Sequence, residues 1–178
     1  MRMFVAIPVQ GQPAQQLQRW TGRLQGIIAM RKWVHPQDYH ITLQFLGELR
    51  PELLPKLRQA LRAVVMPRLE LALDGADTFG LPHAPRVLWS RITGDAAGLS
   101  TLQASIVQAT RPLGFMPEER PYKPHITLAR GWRGEAAFDR ELLASAPTLE
   151  VWEASSFSLM CTHMNASPMY ECIERYGG

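Results

Sequence analysis

The chain opens on an apolar run, Phe4 to Ile7, that reads as a short buried strand, with a turn expected between Pro8 and Pro13. From Ala14 the apolar positions fall at Leu17, Trp20, Leu24, Ile27 and Ile28, steps of three and four that predict an amphipathic helix. A strand is predicted over His40 to Leu46, closed by Gly47. A second helix follows from Pro51, with Leu53, Leu54, Leu57, Leu61, Val64 and Val65 on its apolar face and Pro67 ending it. Leu69, Leu71 and Leu73 alternate with Glu70 and Ala72, a half-buried strand expected to turn at Asp74-Gly75. Further strands are expected over Arg86 to Ile92 and around His125 to Ala129. Between these two lies a third helical face built from Leu99, Leu102, Ile106 and Ala109. A short helix is placed over Ala136 to Leu143. Val151 to Met160 and Tyr170 to Tyr176 read as closing strands around a loop with Asn165 and Pro168. Helices and strands intermix and the last two strands suggest a hairpin, which points to an α+β fold with antiparallel pairing.

The 178 residues suffice for one domain or two small fused lobes, and 46% apolar with 20% charged residues excludes general disorder. Nineteen basic against sixteen acidic residues leave a net charge of +3. That permits an anionic ligand but lacks the dense cationic face of a duplex-DNA binder. Cys161 and Cys172 are too few for a disulfide scaffold and have no metal-knuckle spacing, so a reduced pair in a cytoplasmic setting is expected. No apolar stretch approaches the length of a membrane span, and no membrane partner is expected.

The chemistry lies in an internal echo. His40-Ile41-Thr42-Leu43 and His125-Ile126-Thr127-Leu128 are the same four letters, 85 residues apart. Chance would repeat such a tetrapeptide on the order of once in ten thousand chains of this composition. On a strand, His40 and Thr42 face one side while Ile41 and Leu43 face the other, and His125 and Thr127 do the same. Each motif anchors itself through Ile and Leu and presents an imidazole with a hydroxyl. If two lobes face each other, one cleft receives two His and two Thr. Two imidazoles can divide acid and base roles near neutral pH, and two hydroxyls can hold an anion without adding charge. Neither motif carries the carboxylate, cysteine or His-Glu-x-x-His that a zinc site would need, so no metal is expected. His35, His83 and His163 lack a motif and read as surface or loop residues.

These residues resemble the paired His-x-Thr-x motifs of the two-histidine phosphoesterase superfamily, in particular the RNA 2′,3′-cyclic phosphodiesterases historically called 2′-5′ RNA ligases. Trp33-Val34-His35-Pro36, Phe45-Leu46-Gly47-Glu48, Arg120-Pro121-Tyr122-Lys123-Pro124 and Arg130 extend the likeness along essentially the whole chain. The resemblance implies a bilobal, pseudo-symmetric α+β fold over residues 1–178, with two antiparallel sheets flanking a central cleft, helices outside and one motif from each lobe. It implies metal-independent opening of an RNA 2′,3′-cyclic phosphate to a 2′-phosphomonoester; no cofactor is expected, and a monomer is. His40 would protonate the departing 3′ oxygen and His125 would activate water; the identical motifs by themselves allow the reverse assignment. Thr42 and Thr127 would hold nonbridging phosphate oxygens, and Phe45 and Arg130 would sandwich the terminal base. Many relatives carry a Ser near Met160-Cys161-Thr162, where this chain has Cys161 and Thr162. Arg86, Arg120 and Lys123 are expected to enlarge the basic field without a chemical role. Two other readings stay open: an RNA-end binding or 2′-5′ joining protein, and a cyclic phosphodiesterase acting on a small cyclic nucleotide.

Overall fold

A computed structural model describes residues 1–178, the side chain of Leu149 excepted. The apolar opening forms β1 (Arg2–Pro8), and α1 (Gly11–Gln25) buries Leu17, Trp20 and Leu24 at the expected helical spacing. The helix stops before Ile27 and Ile28: the chain turns at Gly26, and Ile27 is left 65% exposed. A short strand that the pattern does not announce, β2 (Met30–Trp33), precedes β3 (His40–Glu48), which carries the first motif. The second helix, α2 (Leu54–Arg62), buries Leu57 and Leu61 and ends at Ala63, short of Val64 and Val65. Arg58 and Arg62 both reach Glu174 near the C-terminus, tying this helix to the last strand.

The chain then runs through β4 (Leu69–Leu81), β5 (Ala84–Gly94), α3 (Ala96–Thr110) and β6 (His125–Trp132), the strand of the second motif. Asp74-Gly75 is not a turn. The strand continues through it with a shift of register between Leu73 and Ala76, and the turn comes only after Leu81. The Asp95 carboxylate caps α3 by accepting the Gly98 backbone N–H at 2.9 Å, and Leu99, Leu102 and Ile106 face the core. In place of a helix over 136–143 there is a 3-10 turn at Arg140–Ser145, opened by the Asp139 side chain. The expected strand over Val151 to Met160 is two, β7 (Thr148–Ala154) and β8 (Ser156–Thr162), which part at Ser155 and go to opposite regions of the sheet. The last strand, β9 (Tyr170–Gly177), closes a hairpin with β8 as expected.

The strands form one antiparallel path in the order β7-β4-β5-β6-β3-β1-β8-β9, with β2 on β6. β3 and β6 meet at a single pair, Ile41 opposite Ile126. Four strands of the path lie on each side of that pair, with β2 as a fifth on the β6 side, so the two sheets anticipated from the resemblance are joined there into one curled sheet. The division does not follow the middle of the chain. One half collects both ends of the sequence (β1, β3, β8, β9), and the other is built from residues 69–154, with β2 borrowed from the first. The core is continuous across both: Leu17, Trp20, Leu57, Leu61, Leu99 and Ile106 from the helices pack with Ile41, Leu43, Ile126 and Leu128. The histidine-bearing face lies opposite. Among the described residues no helix is long and apolar enough to cross a membrane.

Candidate active site

The two tetrapeptides meet across the centre of the sheet at their isoleucines. Both isoleucines are fully buried in the helix-covered core, so alternation turns the flanking His and Thr of each motif to the other face. Extending the antiparallel register by one residue on either side places His40 opposite Thr127 and Thr42 opposite His125. The repeat therefore becomes a local two-fold.

The imidazoles are held in the same way. His40 Nδ1–H donates to the Asp38 backbone carbonyl at 2.7 Å, and His125 Nδ1–H donates to the Lys123 carbonyl at 2.7 Å. A carbonyl oxygen only accepts, so Nδ1 carries the proton and Nε2 of each neutral ring is left as the basic atom. His40 Nε2 accepts the Thr42 hydroxyl at 3.0 Å. Each ring is also walled by two aromatics. Phe4 and Tyr170 lie 4.9 and 5.1 Å from His40, and Phe79 and Trp89 lie 5.3 and 5.7 Å from His125 (ring centroids). Burial against these walls disfavours the imidazolium. It lowers the His40 pKa from 6.5 to about 4, with the charges of His125 and Arg130 adding to the effect. His125 is lowered as well, first by burial and then by Arg130 and Lys123.

Phe45 and Arg130 lie on the same face as the histidines, which a regular strand would not allow, since five steps reverse the side. A bulge resolves this. On β3, Ala6 pairs with Thr42 but Val5 pairs with Gln44, leaving Leu43 as an extra residue. On β6, Trp89 pairs with Thr127 and Leu88 with Ala129, leaving Leu128 extra. The bulge falls on the final Leu of each tetrapeptide. Phe45 then pairs with Phe4, and Arg130 with Val87, in phase with Thr42 and Thr127. Phe45 is 52% exposed, unusual for an aromatic with a core role, and available to a ligand.

Asp38 and Trp89 are supporting residues that no motif announces, and Tyr122, named only within the stretch before the second motif, is a third. Asp38 is 5% exposed, and its carboxylate accepts the backbone N–H groups of Met169 and Tyr170 at 2.8 and 3.3 Å, which seats Tyr170 against His40. Tyr122 donates its hydroxyl to the Thr42 carbonyl at 2.9 Å, fastening the segment before the second motif to the first. Trp89 is buried with its indole N–H unpartnered. Lys123, expected only to add charge, supplies the carbonyl that orients His125 and holds its ammonium 4.9 Å from the Trp89 ring centroid. His35 caps a 3-10 turn through Nδ1, and His163 pairs with Glu171, so both are engaged elsewhere. Cys161 is buried and Cys172 exposed, both as free thiols, with Cys161 opposite Glu171 and Cys172 opposite Met160. Among the described residues no group of three His, Cys, Asp or Glu side chains is arranged to hold a metal ion.

The family described as LigT like Phosphoesterase matches residues 7–89 and 93–170. The chain belongs to this family. It is 39% identical to an RNA 2′,3′-cyclic phosphodiesterase of Geobacillus stearothermophilus over 97% of this chain and 56% of that protein. The chain thus spans about half the length of that relative. It is 34% identical to an RNA 2′,3′-cyclic phosphodiesterase of Bacillus subtilis (strain 168), over 97% of this chain and 94% of the relative. The crystal structure of Escherichia coli LigT complexed with 3′-AMP shares the fold. Its TM-score is 0.80 at 24% identity, covering 99% of this chain and 97% of that one.

Proposed function

We propose that this LigT-like phosphoesterase opens RNA 2′,3′-cyclic phosphates to 2′-phosphomonoesters by two-histidine acid–base catalysis, without a metal. The activity is that of the relatives aligned over nearly all of this chain. The observation that carries the mechanism is the matched pair of imidazoles on one face, each with Nδ1 tied to a carbonyl two residues back, which leaves Nε2 as the basic atom. One ring can release a proton while the other takes one up, so both proton transfers of a hydrolysis are supplied by side chains.

In the proposed step a water oxygen attacks phosphorus in line with the P–O3′ bond. Its proton goes to His125 Nε2, the P–O3′ bond breaks, and the 3′ oxygen takes a proton from His40 Nε2. The two Thr hydroxyls turn to the nonbridging oxygens, Thr42 giving up its bond to His40. Burial lowers both imidazoles, so each imidazolium is a stronger acid than a free one; the assignment of His40 as acid and His125 as base is the one the family pattern implies. The anionic phosphate raises both values, which favours the protonated ring that serves as the acid. Phe45 and Arg130 grip the terminal base, which decides whether the 2′ or the 3′ oxygen lies in line.

Phosphorus NMR of the product from a 2′,3′-cyclic nucleotide, with excess chelator present, tests this directly. A 2′-phosphate is expected. A 3′-phosphate would overturn the assignment of His40 to the 3′ oxygen, and loss of turnover under chelation would overturn the metal-free mechanism.

A further inference from the structure

The cleft face continues past Arg130 onto β2. In the β2–β6 ladder Lys32 stands directly opposite Arg130, so the two side chains share the face that carries the histidines. Lys32 is exposed and, among the described residues, forms no ion pair with a carboxylate. Its ammonium contacts the Met169 sulfur at 3.3 Å, a weak acceptor for a full charge. Asp38, whose carboxylate holds the backbone of Met169, is buried and already accepts the N–H groups of Met169 and Tyr170. Met169 is therefore fixed in place and props the ammonium without neutralising it. Arg2 repeats the arrangement on the other half: it lies on the cleft face of β1, exposed, with Nη1 3.8 Å from the Met164 sulfur. The β8–β9 loop thus supports a cation near each of its ends. Unpaired positive charge flanking a site that grips a nucleotide base suits the phosphodiester backbone of a single strand.

We infer that Lys32 binds the phosphodiester on the 5′ side of the terminal nucleotide, making the enzyme one that prefers RNA ends over free cyclic mononucleotides. The inference rests on the proposed placement of the terminal base between Phe45 and Arg130. Arg130 has Lys32 on one side and Val87 on the other, and of these two only Lys32 offers a charge to the phosphodiester of a strand continuing from a base held beside Arg130. A mononucleotide has no such phosphodiester and leaves Lys32 unused. Recognition is of charge and not of base, so the preference should hold across sequences.

The test compares uridine 2′-phosphate with the dinucleotide UpU bearing a terminal 2′-phosphate, titrated calorimetrically into wild type and Lys32→Ala. Turnover of the matching cyclic phosphates is followed in parallel. Lys32→Ala is expected to cut the dinucleotide-over-mononucleotide preference roughly 3- to 10-fold, and to reduce the salt slope of dinucleotide binding by about 0.7. Lys32→Arg should retain the preference. A dinucleotide with a neutral methylphosphonate linkage should lose the same factor in wild type and nothing further in Lys32→Ala. An unchanged preference in Lys32→Ala, or an equal loss on both ligands, would overturn the inference while leaving the proposed reaction intact. Lys32-dependent binding by a wild type that turns over neither cyclic phosphate would keep this subsite and remove the reaction. Failure to bind either 2′-phosphate would remove both.

Discussion

At the scale of single residues the site is governed by what surrounds each imidazole. The same carbonyl tie fixes the tautomer of both, and the aromatic walls lower both pKa values. In the free enzyme the pair therefore loses its last proton below the ordinary imidazole value of 6.5. Since kcat/KM reports the free enzyme, its optimum is expected on the acid side of that value, with two apparent pKa values that belong to the pair. The kcat optimum should lie higher, because bound phosphate raises both groups. A kcat/KM profile still rising above pH 7.5 would contradict this. The sign for stability is equally defined. The unfolded chain binds protons at 6.5 where folded His40 does not until about 4, so stability should be full above 6.5 and fall as pH drops towards 4. Urea midpoints across that window read it. That two His and two Thr share one face of the sheet was legible in the repeated tetrapeptide. That Phe45 and Arg130 share its face was not, because strict alternation puts a residue five steps on behind the sheet, and only the bulges at Leu43 and Leu128 bring it round.

At the scale of elements, the strands that bear the motifs are held by segments whose patterns are too short or too broken to read. β2 has four residues, two of them adjacent cations, and its place on β6 is set by pairing and not by amphipathicity. The apolar continuity from Val151 to Met160 conceals a break at Ser155 that sends β7 and β8 to opposite regions of the sheet. Asp38 shows what such joints do. Its carboxylate anchors the start of β9, while its carbonyl orients His40. Asp38→Ala removes only the first function. It should cost about 1–3 kcal/mol of stability through the stranded Met169 and Tyr170 N–H groups. It should also lower kcat/KM by loosening Tyr170 against His40, yet less than His40→Ala does, since the carbonyl and the tautomer remain. Denaturant midpoints with parallel kinetics check both. A kcat/KM as low as that of His40→Ala would show that the carboxylate does more than hold β9.

At the scale of the whole molecule, the two halves come from unequal stretches of chain, yet their central strands match residue for residue through tetrapeptide and bulge. The spacing of the motifs foreshadowed two lobes. It did not foreshadow that one lobe is closed by both ends of the sequence, because the pairing of β8 with β1 leaves no periodic trace. Ile41 opposite Ile126 is the sole ladder pair between the central strands, so the relation of the two imidazoles depends on both halves together. The account's central claim is that they work as one acid–base unit. The measurement that tests it most directly is kcat/KM on a 2′,3′-cyclic phosphate for wild type, His40→Ala, His125→Ala and the double variant. Each single change should cost about 10²–10⁴-fold, and the double variant should be no worse than about the poorer single one, because a unit lost once is not lost again. Near-wild-type activity in either single variant, or losses that multiply in the double, would contradict it.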